Sequence, residues 1–176
     1  MSTLTLDRLF ALLRQYAAQA KHPVDLLLIG GLAMLAYGQS SRATIDVDGE
    51  LREGVRPLKD FLSRHGIPAN LGQNVSGWSV VAMAPGYRDR ATVLLDEPCL
   101  TVRLLAPADF IIAKLRRGTD EDLEDAAWIA ATYRVDARQV RAAAESALTA
   151  SFEDTALFLF ERTVEQFCAK LGKPRP

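Results

Sequence analysis

The first 40 residues pair an amphipathic helical pattern with a short apolar run. Leucine and aromatic residues recur at helical spacing over residues 5–20. The nearly all-apolar run at 24–29 predicts a strand covered on both faces. Gly30 and Gly31 then turn this strand into a helix, whose apolar pattern covers residues 32–38. The order helix, strand, helix predicts the start of an α/β unit.

The middle of the chain continues the sheet. Residues 44–51 predict a second strand, and a helical stripe over 55–65 ends at Gly66. This helix should cross over the sheet. Alternating or β-branched runs separated by turn residues predict three further strands, at 75–84, 91–95 and 99–105. We expect the last two to form an antiparallel extension of the sheet.

After Pro107 the pattern is helical to the end of the chain. The predicted helices are 107–117, 119–132, 136–149 and 152–171. The side chains expected to be buried by the last helix are Phe152, Ala156, Leu159, Phe160, Val164, Phe167 and Leu171. The sequence therefore predicts an α+β (α/β) fold: a mixed-sheet core over residues 1–106 and an all-helical C-terminal subdomain over residues 107–176.

Composition narrows the class without giving a function. The 176 residues are 49% hydrophobic and 24% charged, which is ordinary for a globular protein. Neither a membrane span of roughly 20 apolar residues nor a signal-peptide pattern is found, so we expect a cytoplasmic protein without membrane contact. Cys99 and Cys168 are isolated in sequence and indicate neither zinc nor a disulfide framework.

The charges are balanced overall and locally uneven. With 21 basic and 22 acidic residues, no global field draws the chain onto nucleic acid. Six basic residues of the middle third lie within residues 88–117: Arg88, Arg90, Arg103, Lys114, Arg116 and Arg117. Both a binding patch and an ordinary solvated surface account for them.

The most informative residues are the acids of the second predicted strand. If residues 44–51 are extended, Asp46 and Asp48 lie on one face a few ångströms apart. Such close carboxylates repel each other, and a divalent cation with hard oxygen ligands holds them together. Gly30 and Gly31, at a strand-to-helix turn, suit an anionic phosphate. The pattern predicts a nucleoside triphosphate bound through Mg²⁺ or Mn²⁺.

An apolar strand, a glycine pair, a short helix and a strand with Asp46-Val47-Asp48 resemble the nucleotidyltransferase superfamily, with its DNA-polymerase-beta-like fold. More narrowly, Arg42-x-Thr44-x-Asp46-x-Asp48 with a later Lys114 and Asp122 resembles bacterial nucleotidyltransferases akin to abortive-infection toxins. Such a resemblance implies that the acid pair binds metal.

It also implies a set of roles for this chain. The catalytic residues would be Asp46, Asp48 and Lys114. The nucleotide-binding residues would be Gly30, Gly31, Arg42, Thr44, Lys114 and Asp122.

Several of these residues also have a structural interpretation. Arg42 and Thr44 are as well placed to pair with Asp46 or cap a turn as to contact substrate. Lys114 is able to extend its amine to solvent from an apolar helix. Asp122 belongs to an acid-rich first helical turn, where negative charge favours the helix dipole.

One part of the family pattern is missing. A third carboxylate, on a neighbouring strand, helps such enzymes to hold a second metal and activate the acceptor hydroxyl. The segment expected to supply it, residues 78–84, contains no acid. Glu50, on the same predicted strand face as the acid pair, is one substitute, and Asp89 and Asp96 are others if their loops fold inward.

Two functions from different classes follow. The first is a metal-dependent nucleotidyltransferase that moves a nucleoside monophosphate to a hydroxyl acceptor in RNA, a protein or a small molecule. The resemblance implies a toxin of a toxin–antitoxin or phage-defence pair, with an antitoxin protein as partner. The alternative is a catalytically degenerate relative that binds nucleotide or a partner protein. A sugar- or antibiotic-modifying transferase is a weaker third option.

Overall fold

The computed structural model describes residues 3–171 and shows an α+β fold with one mixed sheet. Within these residues the α-helices are α1 (Leu6–Ala17), α2 (Gly30–Ala36), α3 (Val55–Arg64), α4 (Pro107–Leu115), α5 (Asp120–Tyr133), α6 (Ala137–Thr149) and α7 (Ala156–Leu171). The strands are β1 (Val24–Ile29), β2 (Val47–Leu51), β3 (Ala69–Gly72), β4 (Thr92–Glu97) and β5 (Leu100–Leu104). The predicted fold class is therefore confirmed.

The helix boundaries follow from local capping. The Thr5 hydroxyl accepts a hydrogen bond from the Arg8 backbone N–H at the start of α1. Thr119 caps α5 in the same way, through the Asp122 N–H. Asp136 and Gln139 form a reciprocal capping box at the start of α6. These caps agree with the helix starts predicted at residues 5, 119 and 136.

The five strands run in the order β3-β2-β1-β5-β4. Strand β1 is central, antiparallel to β2 and parallel to β5. Because β2 and β3 are parallel, α3 between them is a crossover helix, as predicted. Strands β4 and β5 pair antiparallel at the edge, which confirms the predicted extension of the sheet.

The two faces of the sheet differ in character. One face is apolar and is carried by residues such as Leu26, Leu28 and Val102, each fully buried. On the other face, the register brings Glu50 of β2, Leu27 of β1 and Arg103 of β5 into one row, and Asp48 lies two positions from Glu50. Glu50 and Arg103 thus lie on the face of the sheet that carries Asp48.

The chain divides into two compact units. The first combines the residues up to Val75 with Ala91–Leu105 and holds all five strands with α1 to α3. The second combines Ser76–Arg90 with the residues from Ala106 onward and holds α4 to α7. The candidate metal residues therefore belong to the first unit, and Lys114 and Asp122 to the second.

The predicted strand at 75–84 is wrong. Its first residues form a 3-10 turn, Val75–Trp78, and no regular strand follows before β4. The Met83 N–H donates to the Ser76 hydroxyl at 2.8 Å, and the Ala82 N–H donates to the Ser151 hydroxyl at 2.8 Å. Serine side chains thus satisfy two backbone donors that a partner strand would otherwise satisfy, which stabilises this apolar segment outside the sheet.

Strand β2, which carries Asp48, begins later than predicted, at Val47 rather than residue 44. Strand β1 ends at Ile29, opposite Asp48, and the chain then turns away at Gly30. The residues before Val47 therefore have no strand to pair with on that side, and Asp46 lies in a bend. The other neighbour of β2, the short strand β3, was not predicted.

Helix α7 also begins later than predicted. Asp154 accepts a hydrogen bond from the Ala156 N–H at 2.7 Å, and the residues before it are not helical. Phe152 is consequently 92% exposed, and Leu159 is 64% exposed because it lies beside the stripe that faces the core. The expected burial of these two side chains is wrong, whereas Phe160, Val164 and Phe167 are buried as expected. None of the helices in the described part of the chain is long and apolar enough to span a bilayer.

Candidate functional site

The candidate site is built on the corner where β1 becomes α2. Gly30, the first residue of α2, has φ of +71°, a left-handed conformation that disfavours any residue with a side chain. A Cβ atom placed on Gly30 would lie only 2.1 Å from Oδ2 of Asp48. Glycine is therefore required twice, once for the turn and once because the Asp48 carboxylate lies against the backbone.

The second glycine makes a matching contact. A Cβ atom on Gly31 would lie 2.8 Å from Cβ and 2.9 Å from Oγ1 of Thr44. The Thr44 hydroxyl in turn donates a hydrogen bond of 2.6 Å to Oδ1 of Asp46. Gly30 thus contacts Asp48 directly, and Gly31 contacts Thr44, which holds Asp46. We call Thr44, Asp46 and Asp48 the acidic motif.

This arrangement fits a magnesium ion shared with a phosphate. Asp46 and Asp48 are partly exposed, so both are within reach of solutes, and they offer the hard oxygen ligands that Mg²⁺ prefers. Among residues 3–171 no three acidic, histidine or cysteine side chains are grouped to hold a metal ion. Mg²⁺ commonly uses only one or two carboxylates and takes its other ligands from substrate phosphates and water.

The candidates for a third carboxylate do not all suit that role. Glu50 is on the same face as Asp48, but it is only 3% exposed and accepts a hydrogen bond from the Val75 N–H at 2.7 Å. Asp96 of β4 pairs with Thr101 of β5, and Thr101 pairs with Asp25 of β1. Asp96 therefore lies in the same row of the sheet as Asp25. That row is four residues, or about 13 Å, along β1 from the row of Asp48.

Asp96 is therefore too far along the sheet to join Asp48. Its carboxylate accepts a hydrogen bond from the Thr101 hydroxyl at 3.2 Å. Asp89 belongs to the second compact unit. Glu50 remains the nearest acid to the pair by register, and its carboxylate already holds the segment at Val75.

An ion pair that the sequence did not reveal lies on the same face of the sheet. Arg103 of β5 donates to Asp25 of β1 at 2.9 Å. The signal was present, since Asp25 is the one charged residue within the apolar run of β1. Without the parallel pairing of β1 and β5, however, nothing in the sequence joins Asp25 to a residue 78 positions later.

The later residues of the motif form a separate cluster, in the second unit. The Lys114 ammonium lies 3.2 Å from Oδ1 of Asp122 and 2.8 Å from Oδ2 of Asp125. Arg117 donates to both oxygens of Asp122, at 2.8 and 2.9 Å, and Thr119 donates to Oδ2 at 2.7 Å. The roles of Lys114 and Asp122 toward a nucleotide stay predictions.

Asp122 is held as an anion by this cluster. Its side chain is fully buried, and burial alone would raise the pKa of the carboxyl. The hydrogen bonds from Arg117 and Thr119 and the charge of Lys114 outweigh burial and lower the pKa below its ordinary value. Asp122 is therefore a carboxylate already surrounded by cations of the chain itself.

The six basic residues within residues 88–117 are mostly paired. Four of the six are in ion pairs: Arg90 with Asp109, Arg103 with Asp25, Arg117 with Asp122, and Lys114 with Asp122 and Asp125. Arg116 donates to the backbone carbonyl of Ser76 at 2.8 Å, and burial lowers its pKa to about 10. These contacts favour the structural interpretation of the basic residues over a nucleic-acid patch.

A comparison with known families gives the class of protein. The chain matches the family described as a nucleotidyltransferase of unknown function over residues 4–170, which places it in the nucleotidyltransferase superfamily. It belongs to that family, DUF6036. No curated protein and no solved structure matches the chain.

Proposed function

We propose that the chain is a metal-dependent nucleotidyltransferase that moves a nucleoside monophosphate from a nucleoside triphosphate to a hydroxyl acceptor. The observation that supports this most is the contact of both glycines with the acidic motif, because it concentrates negative charge where a phosphate would approach the backbone. A phosphate at this corner would approach the Asp48 carboxylate, and a cation between them would reduce their repulsion.

Asp46 and Asp48 would hold the metal ion, and Gly30 and Gly31 would allow the polyphosphate to approach closely. When bound, Mg²⁺ neutralises charge on the phosphates and orients them for in-line displacement. The protein itself supplies the two carboxylates, the open corner and the positions of the reacting groups. Nucleotidyl transfer needs little more from side chains, so a site with two carboxylates is chemically sufficient for binding and orientation.

A transfer assay tests the proposal. The wild-type protein is incubated with Mg²⁺, each of the four labelled nucleoside triphosphates, and acceptors from tRNA, protein and small-molecule pools. We expect pyrophosphate release with label on one acceptor class, loss of both in Asp46→Asn, and no loss in Glu145→Gln, an exposed acid on α6. Transfer that persists in Asp46→Asn would reject the assignment of the acid pair.

The degenerate alternative has its own support. Glu50 is the nearest further acid by register, but it is buried and its carboxylate is bonded to the Val75 backbone. The candidate site therefore offers two accessible carboxylates, Asp46 and Asp48, where the family pattern has three. Calorimetry with the four nucleotides, with and without Mg²⁺, separates the two functions. Metal-dependent binding without pyrophosphate release across the acceptor panel would favour a nucleotide-binding protein without turnover.

The resemblance to abortive-infection enzymes supports a more specific role, the toxin of a toxin–antitoxin or phage-defence pair. In that role an antitoxin protein would bind this chain and suppress transfer. Expression of the wild-type chain in a bacterial host should then arrest growth, and Asp46→Asn, expressed to the same level, should not. Equal growth of both strains, with transfer activity present in the lysate, would reject the toxin role and leave the chemistry standing.

A further inference from the structure

Thr44 is fixed on three sides. Only 9% of the residue is exposed, and its backbone carbonyl accepts a hydrogen bond of 2.8 Å from the N–H of Leu4. Its side chain packs against the space above Gly31, where an added Cβ would meet it at 2.8 Å. The third restraint is the 2.6 Å hydrogen bond from its hydroxyl to Oδ1 of Asp46. The orientation of Thr44 is therefore set by the fold rather than by a ligand.

Asp46 needs such a restraint, whereas Asp48 does not. Asp48 is a member of β2, and its backbone is fixed by pairing with Ile29 on one side and Asn70 on the other. Asp46 precedes β2 in a bend, where no ladder determines the direction of its side chain. A carboxylate in a bend samples several rotamers unless a neighbour holds it.

The hydroxyl of Thr44 also has no second proton to offer. A threonine side chain has one O–H donor, and the bond to Asp46 uses it. Donation from Thr44 to a phosphate oxygen would therefore break the bond to Asp46. The geometry is better suited to a residue that acts through Asp46 than to one that contacts the nucleotide.

We propose that Thr44 is a positioning residue, which holds Oδ1 of Asp46 so that Oδ2 faces the cation. The inference rests on the proposed function, because it assumes that Asp46 binds a metal ion. Gly31 takes part indirectly, since only a glycine leaves room for the threonine that holds the aspartate. The glycine pair would thus have a second role besides letting a phosphate approach the backbone. It leaves room for the side chains of Asp48 and Thr44.

The test compares two substitutions of the same hydroxyl. Thr44→Val keeps the shape of the side chain and removes the donor, and Thr44→Ser keeps the donor and removes a methyl group. Binding of Mn²⁺ alone is measured by electron paramagnetic resonance, so no turnover is needed. Loss of a residue that orients a metal ligand typically weakens metal affinity about 10–100-fold, which we expect for Thr44→Val. Thr44→Ser should stay within about threefold of wild type by the same reasoning, because the donor is retained.

The outcomes separate this inference from the proposed function. If Thr44→Val binds Mn²⁺ like wild type while Asp46→Asn does not, the metal site stands and the role of Thr44 is rejected. If Asp46→Asn also binds like wild type, the metal site itself is rejected. If Thr44→Ser is as weak as Thr44→Val, packing rather than the hydroxyl is responsible, which also rejects the inference. Circular dichroism verifies folding, and Thr44→Ala replaces the valine variant if that variant fails to fold.

Discussion

The chain contains two groups of acids that look alike in sequence and differ in structure. Asp46 and Asp48 are partly exposed and lie at a corner kept open by two glycines. Asp122 and Asp125 are buried, at 0% and 5% exposure, and Lys114 bridges them. The first group is accessible to solutes, and the charge of the second is compensated by a buried cation of the protein.

The difference shows what distinguishes a candidate ligand site from a structural cluster. A buried carboxylate is tolerated only with partners, and Asp122 receives bonds from Lys114, Arg117 and Thr119. At the glycine corner, Asp46 accepts a hydrogen bond from the hydroxyl of Thr44. We therefore expect the second group to govern stability and the first to govern binding.

The largest expected effect is on stability. Asp122→Asn removes the charge that compensates Lys114 and Arg117, and breaking a buried ion pair of this kind costs about 3–5 kcal/mol. Asp46→Asn should change the free energy of unfolding by less than about 1 kcal/mol, since partly exposed charges contribute little. Urea unfolding without divalent cations measures both. Equal losses in the two variants would break the comparison.

The pH dependence of stability follows from the same carboxyl. Because the folded-state pKa of Asp122 is lowered, its contribution is fully present above the unfolded-state pKa, about 4. The contribution is lost as the pH falls through the folded-state pKa. Acid unfolding of Asp122→Asn should accordingly depend less steeply on pH below about 4 than that of wild type. Identical profiles in the two proteins would show that this carboxyl is not held as an anion.

The next effect is stabilisation by ligand. A magnesium complex of a non-hydrolysable ATP analogue at 100 times its Kd should raise the free energy of unfolding by about 2.7 kcal/mol. Asp46→Asn should lose this gain, and Glu145→Gln, with its substitution exposed on α6, should keep it. Differential scanning calorimetry measures the shift. A gain that survives in Asp46→Asn would place the ligand elsewhere.

Lys114 allows a direct test of the two interpretations of the helical cluster. Lys114→Met removes two ion pairs and should lower the free energy of unfolding by about 1.5–3 kcal/mol. Nucleotide affinity of the folded variant, measured by calorimetry, decides its further role. Unchanged affinity would confine Lys114 to the structure, and a loss of tenfold or more would support its predicted contact with the nucleotide.

A matched pair of glycines separates the cost of backbone strain from the effect of the contact with Asp48. Gly30 and Gly38 both have positive φ, +71° and +98°, so alanine at either position costs about 1–2 kcal/mol. Only at Gly30 does the new methyl group meet Asp48, whereas a Cβ atom added at Gly38 would have no other side chain or distant backbone atom within 4 Å. Gly30→Ala should therefore lose Mn²⁺ affinity and Gly38→Ala should keep it. Equal Mn²⁺ binding by both variants would show that the approach of Asp48 to Gly30 does not matter.

Much of the fold was predictable where local pattern and tertiary context agree. Strand β1 is buried on both faces, and its apolar run predicts this. Thr5, Thr119 and Asp136 cap helices through local hydrogen bonds, and Pro107 is the first residue of α4. The irregular segment after Val75 was not predictable, because its backbone donors are satisfied by serine side chains, one of them 69 residues distant.

The sequence predicted which residues lie near one another at the candidate site, but not the hydrogen bonds and contacts that link them. The spacing of Gly30, Gly31, Asp46 and Asp48 pointed to one corner, and the structure brings Asp48 against Gly30. The link from Gly31 through Thr44 to Asp46 depends on a bend that forms because β1 ends at Ile29. Such a contact follows from strand register, which no local pattern in the sequence determines.

The location of the bound cation tests the central claim most directly. Mn²⁺ broadens the nuclear magnetic resonance signals of nearby amides, so a titration of the labelled protein identifies the site without any assumption about activity. We predict that the amides of Gly30, Gly31 and Asp48 broaden first, at the lowest Mn²⁺ concentrations. Broadening confined to Thr119 to Asp125, or absent from the glycine corner at saturating Mn²⁺, would contradict the account.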